Sequence, residues 1–210
     1  MRRFLAWVVF TRSAFTSVSL LALVAVTLVA CSRTPRPRLY VLAPLEAPAA
    51  VAGASAGLGI GVGPVTLAPH LDRPQIVTRR GGEVHLDELD RWAEPLADGV
   101  ARVLAESLGA LLATERTWIY PWRPSVPVDV QASVEVLRFD SESGGDGVLV
   151  ARWTLFDGAG EVLCARRFEH REPVPAASPA ATVEALGRGL AALSREIARE
   201  IGQRANAAAG

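Results

Sequence analysis

The sequence predicts an α/β fold, a single domain in which a largely antiparallel β-sheet is packed by two main helices. Three observations carry this. Val128 to Phe139 alternates apolar Val128, Val130, Ala132, Val134 and Val136 with polar Asp129, Gln131, Ser133 and Glu135, the pattern of a half-buried strand. Turn-forming runs at Ser141 to Gly147 and at Asp157-Gly158-Ala159-Gly160 then fold the following chain back twice, giving a three-strand antiparallel meander. Two apolar stripes recur at helical spacing, one from Leu96 to Leu111 and one from Val183 to Ile201. A chain of 210 residues, 50% hydrophobic and 21% charged, suits one globular domain plus an extra apolar stretch, which lies at the front.

Residues 1-30 read as a secretory signal. Arg2, Arg3 and Arg12 precede a charge-free run from Leu20 to Ala30 that ends in small residues. An uncleaved membrane anchor is the rival, but Ser13, Thr16, Ser17 and Ser19 shorten the apolar core below the ~18 to 20 residues of a span. Leu28-Val29-Ala30-Cys31 resembles the bacterial lipobox, in which diacylglycerol alkylates the thiol, the peptide is cut before the cysteine, and the new amino terminus is acylated. Several acyl chains at ~0.8 kcal/mol per buried methylene would make Cys31 a lasting anchor. Ser32, where an aspartate tends to retain lipoproteins in the inner membrane, implies the outer membrane.

Loss of the signal removes three arginines from 22 basic residues and no acid from 22, leaving 19 against 22. A mildly acidic mature chain makes nucleic acid an unsuitable partner. All basic residues are arginine, and this carries no functional content. With Cys31 lipidated, Cys164 has no partner in the chain, so no internal disulfide is expected and Cys164 is expected buried in a strand.

Residues 31-38, rich in Arg and Pro, suit an extended tether, and 39-205 the domain. Leu39 to Leu42 reads as a first strand, followed by a mobile Ala/Gly/Pro loop over 43-57. Leu58 to Leu67 is a strand with a break at Pro64. Gln75 to Arg79 and Glu83 to Leu86 flank Gly81-Gly82 as a hairpin. The first helix carries Leu96, Val100, Val103, Leu104, Leu108 and Leu111, with Pro95 in its first turn. Thr117 to Trp122 reads as a short buried strand, and the meander continues through Val148 to Phe156 and Glu161 to His170. The last helix runs from about Ser178 to Arg204, and its Gly187 and Gly189, each costing about 1 kcal/mol against Ala, suggest close packing on the sheet.

Motifs for chemistry are few. Gly53-Ala54-Ser55-Ala56-Gly57 matches G-x-S-x-G, but no strand precedes it and no helical pattern follows, so the strained elbow that exposes a nucleophile is missing. Gly59, Gly61 and Gly63 echo a dinucleotide loop within an apparent strand, with Pro64 blocking the next turn; structural glycine is the better reading. His70, His85 and His170 lack the paired spacing of metal ligands, and only His70 lies in an unusual stretch. Asp87, Glu88, Asp90 and Glu94 read as the solvated approach to a helix N-terminus. No metal site and no cofactor is expected beyond the covalent lipid.

One polar stretch stands out, Val65 to Leu96. Leu71, Asp72, Arg73, Pro74, Gln75, Arg91 and Trp92 offer arginine and tryptophan beside apolar residues, as binding surfaces do. Equally, Trp92 could plug the core while Arg73 and Arg91 form ion pairs. "LDRPQIVTR" followed by "RWAEPL" resembles the diagnostic segment of the ABC-type transport auxiliary lipoproteins, the PqiC family. The likeness extends through "YVL", "GVGPVTL", "VDVQASVEVLRFD", "ARWTLFDGAGEVL" and "EALGRGLAALSREIAREI", nearly the whole mature chain in order. Ala68-Pro69-His70-Leu71 departs from the family's usual turn.

The resemblance implies one α/β domain with a mixed sheet. It also implies a non-enzymatic outer-membrane lipoprotein of an MCE-type ABC transport system, facing the periplasm. There it would dock the periplasmic MCE-domain protein for lipid transport between the membranes and support envelope integrity; a ring of copies is compatible with it. The alternative is a stand-alone envelope lipoprotein with hydrolase or ligand-binding activity at Ser55 or His70.

Overall fold

The computed structural model describes residues 35-44, 50, 57-142, 145-175 and 178-209. The folded unit begins at Pro37. The signal region, Cys31, and Ser55 with most of the loop around it lie outside the described residues.

Among the described residues, eight strands form one mixed sheet: β1 (Arg38–Tyr40), β2 (Ile60–Leu67), β3 (Gln75–Arg80), β4 (Glu83–Trp92), β5 (Thr117–Ile119), β6 (Val130–Glu142), β7 (Asp146–Asp157) and β8 (Val162–Pro173). Among the same residues two helices accompany them, α1 (Leu96–Leu112) and α2 (Pro179–Ala209). Along the sheet the order is β1-β4-β3-β6-β2-β5, with β7 and then β8 continuing from β6. The β6-β7-β8 meander and the β3-β4 hairpin are antiparallel, while β2 pairs in parallel with both β5 and β6, β3 with β6, and β1 with β4.

Strand β6 is the branch point. Its first half, Val130 to Val136, takes β2, and its end, Ser141 and Glu142, takes β3. The expected break at Pro64 is a shift of register between Val62 and Val65 rather than an end, with Gly63 at a φ of +115° that favours glycine.

Both stripes reach the core. Val100, Val103, Leu104, Leu108 and Leu111 of α1 join Leu186, Leu190, Leu193, Ile197 and Ile201 of α2 in one cluster with Ile60, Val134, Phe139 and Trp153. Each such side chain contributes about 1.5 to 3 kcal/mol on burial. α1 packs on β2, β5 and α2, and α2 on β6, β7 and β8. Trp153 buries its ring and donates its indole N–H to Glu196 of α2 at 3.1 Å, which satisfies the one polar atom of that side chain.

Several elements differ from expectation. β4 runs to Trp92, well beyond Leu86, because the acidic stretch is part of a strand and not the solvated approach to a helix. Within it the register shifts between the pairs Gln75–Arg91 and Val77–Leu86, and Asp90 is buried. Pro95 precedes α1 as its N-cap residue instead of lying in its first turn. β5 is only three residues long and half-exposed, since Pro121 removes the next ladder donor. Cys164 lies in β8 as expected, but half-buried, because β8 is covered by α2 on one side alone. Of the two helix glycines only Gly189 packs closely, where a Cβ would meet Leu149 at 3.4 Å; Gly187 faces open space.

These glycines separate propensity from packing. Gly187→Ala should raise unfolding stability by about 1 kcal/mol in urea titration, the gain in helix propensity alone. Gly61→Ala should lower it by about 1 to 3 kcal/mol, because the new Cβ would stand 2.7 Å from the Trp122 ring and 2.9 Å from Val128.

Candidate functional site

The segment after β2 is a compact turn held by backbone bonds, Leu71 N–H to the Ala68 carbonyl at 2.8 Å and Arg73 N–H to the Leu71 carbonyl at 2.9 Å. Leu71 is wholly buried and pins the turn to the core, which leaves Asp72 and Pro74 exposed and Arg73 half-buried. The end of β4 closes against it, Trp92 N–H donating to the Pro74 carbonyl at 2.7 Å and Ala93 N–H to the Tyr40 carbonyl at 2.8 Å. Trp92 is 7% exposed, with its ring 6.1 Å from that of Phe139, so it serves the core. The two segments thereby line an open cleft of about 400 Å³, Asp72, Arg73 and Pro74 on one side and the run Trp92 to Leu96 on the other.

The charges around this cleft are unequal in their pairing. Arg91 bonds Glu88 through Nη2 at 2.9 Å and donates from Nε to its backbone carbonyl at 2.8 Å; Gln75 reaches the same carboxylate at 3.1 Å. Glu94 is held by Arg102 at 2.5 Å, and Arg102 also donates to the Leu42 carbonyl at 3.0 Å, fastening the segment after β1 to α1. Arg73 has neither: it forms no ion pair among the described residues, and its Nε is buried without a hydrogen-bond partner. Of the two structural roles open to the stretch in sequence, Trp92 and Arg91 take theirs and Arg73 does not.

A second constellation was not read from the sequence. Asp140, fully buried at the end of β6, accepts from Arg79 Nε at 2.7 Å and from Arg138 Nε at 2.9 Å, and Arg138 also bonds Glu142 at 3.0 Å. Arg138, Asp140 and Glu142 alternate along one strand, which was the available signal, since i and i+2 share a face. The partner Arg79 comes from β3, and nothing local indicates that pairing. Arg79 also stands 2.8 Å from His70 Nε2, so that nitrogen accepts and the ring is neutral. Burial, then the Arg79 charge, lowers the His70 pKa below its ordinary 6.5. His85 and His170 lie beside Glu83 and Glu172 respectively, and no three such side chains among the described residues are grouped to hold a metal ion.

The depressed pKa gives His70 a pH signature. The unfolded chain takes up the proton that the folded one refuses, so this contribution is complete above pH 6.5 and is lost as the pH falls toward the folded-state pKa. His70→Gln should flatten the fall of stability between pH 7 and 5, measured by denaturant titration at several pH values. Asp140→Ala should cost about 3 to 5 kcal/mol in the same assay, because two arginines lose their shared acceptor.

The fold has solved counterparts. A crystal structure described only as an uncharacterised protein aligns with a TM-score of 0.64 and 20% identity over 80% of this chain and 99% of that one. A protein from Xanthomonas campestris, of the family DUF330, aligns with a TM-score of 0.67 and 17% identity over 81% and 99% of the two chains. At these identities the likeness is one of fold. No curated protein matches the sequence. The sequence itself matches a family over residues 40–198, from β1 through most of α2, so the turn, the cleft and the ion network all lie within the matched span. The chain belongs to the family of the ABC-type transport auxiliary lipoprotein component.

Proposed function

We propose that this protein is the non-catalytic outer-membrane subunit of an MCE-type ABC transport system, anchored through lipid on Cys31, and that it receives the periplasmic MCE-domain protein at the Arg73 cleft. Membership of the auxiliary family supports a role beside a transporter. The single observation that favours this cleft is Arg73, a cation with no ion pair among the described residues, set between exposed Asp72 and Pro74 on a turn that buried Leu71 pins to the core. Arginine on a preorganised surface is a strong anchor for a partner, because little order is lost on binding.

The role fits the physics of the cargo. An apolar lipid does not diffuse freely through an aqueous compartment, so a protein path has to be received at each bilayer. A lipid anchor fixes one end, and the residues 31-38 span at most about 25 to 30 Å when extended, which keeps the receptor close to its membrane. His70 Nε2 accepts from Arg79, which ties that nitrogen to the ion network around Asp140.

Affinity recovery of the tagged lipoprotein from gently solubilised envelopes tests this. The native chain should bring down an MCE-domain protein, and Cys31→Ser should release the protein from the membrane fraction. Arg73→Ala should keep native circular dichroism and lose about tenfold or more of the recovered partner. Full recovery by a folded Arg73→Ala would move the docking surface elsewhere. Trp92→Ala is unsuited to this test, because loss of a core tryptophan costs about 3 to 5 kcal/mol.

A further inference from the structure

Strand β1 opens the folded unit and stands at one end of the strand order, its outer edge without a strand partner among the described residues. It is nevertheless firmly seated. Arg38 Nη2 donates to buried Asp90 at 2.7 Å, Ala93 N–H to the Tyr40 carbonyl at 2.8 Å, and Arg102 Nη2 to the Leu42 carbonyl at 3.0 Å. Alternation along the strand and the two residues after it turns Arg38 toward Asp90 and sends Tyr40 and Leu42 against the core. Leu39 and Val41 therefore face outward, 63% and 55% exposed. Arg91 is in register with Leu39 and shares its face, and its charge is already taken by Glu88 at 2.9 Å. Single exposed apolar residues are ordinary. Two on one face of a strand that the fold holds still, directly after the tether, form a small surface with a fixed orientation.

We propose that Leu39 and Val41 rest on the bilayer that holds the Cys31 lipid, so that the β1 edge lies against the membrane at the boundary between headgroups and acyl chains. The inference rests on the lipid anchor assigned to Cys31 above. The length of chain between anchor and strand selects the occupant. Leu39 is only eight residues on from Cys31, a reach of at most about 25 to 30 Å when fully extended. The other strongly exposed apolar residues, Tyr120 after β5 and Val162 in β8, come far later in the chain, and β5 ends the strand order opposite to β1. A short tether holds β1 at high effective concentration beside the bilayer, so two side chains suffice where an untethered protein would need a larger patch. Arg33 and Arg36 within the tether add attraction to anionic headgroups. The open edge of β1 limits the depth, because its unpaired N–H and C=O groups need water or headgroup oxygens; only the side chains enter the apolar layer. Neither Leu39 nor Val41 lines the Arg73 cleft, so the two contacts use different side chains.

Nitroxide labels introduced through Leu39→Cys, Val41→Cys and, as a control, Val162→Cys test the contact, each in a Cys164→Ser background. The lipidated full chain is reconstituted into vesicles of phosphatidylethanolamine and phosphatidylglycerol and recovered by flotation. Oxygen concentrates in the acyl layer and a nickel chelate stays in water, so their relative collision rates with a label report its depth. Labels at 39 and 41 should collide more often with oxygen than with the chelate, and the label at 162 the reverse. All three positions are exposed, so native circular dichroism is expected of each variant, and the two test positions guard against a folding defect in either. Failure of the chain to float would overturn the anchor and the contact together. Flotation with labels at 39 and 41 as open to the chelate as the label at 162 would overturn the contact and leave the anchor standing. Labels shielded from both collision partners would assign the β1 edge to a second copy of this chain and overturn the proposal as well.

Discussion

Strand β6 is the constraint on which the rest of the molecule depends. Among the described residues it is the one strand that carries three neighbours, β2 beside its first half, β3 beside its last residues and β7 along almost its whole length. Its apolar side chains, Ala132, Val134, Val136 and Phe139, sit at the centre of the single core. Because β2 and β3 share the same side of β6 end to end, the turn between them has to lie against β6, and the Ala68 N–H closes that approach on the Val136 carbonyl at 2.8 Å. The position of the Leu71–Pro74 turn, and so of the cleft beside it, follows from how β6 divides its edge.

Electrostatics then stabilises what β6 arranges. The end of the strand carries a buried carboxylate, Asp140, and the fold answers with two arginines and a neutral histidine above them. On β4, two strands further along the sheet, a second buried carboxylate, Asp90, pairs with Arg38 at 2.7 Å. Carboxylates engaged in this way belong to the architecture. Arg73 differs, a charged group that the fold positions and that forms no ion pair among the described residues.

Much of the fold was legible because it rests on local periodicity. The alternation from Val128, the turns near Gly145 and Gly158, and the stripes of α1 and α2 each follow from side-chain spacing alone, and all of these elements form. What was not legible depends on non-local partners. Nothing around Asp90 says that Arg38, far earlier in the chain, pairs with it, so a run of acids read as solvated surface became a strand with a buried charge. Likewise the parallel pairing of β2 with β6 requires a crossover through α1 and β5 that periodicity does not specify. In the stretch Leu71 to Trp92 the residue types were singled out correctly as unusual, but their division of labour was settled only by burial. Leu71 and Trp92 serve the core, Gln75 and Arg91 share Glu88, and Asp72, Arg73 and Pro74 remain on the surface.

The surface left free by this division is where we propose a transport partner is received. Photo-crosslinking in intact envelopes addresses it most directly, with a photoreactive side chain placed at Asp72 beside the cleft and, as a control, at Arg167 on the exposed side of β8. A covalent adduct with an MCE-domain protein is expected from position 72 and not from position 167. Adducts from position 167 alone, or adducts from position 72 only with unrelated proteins, would contradict it.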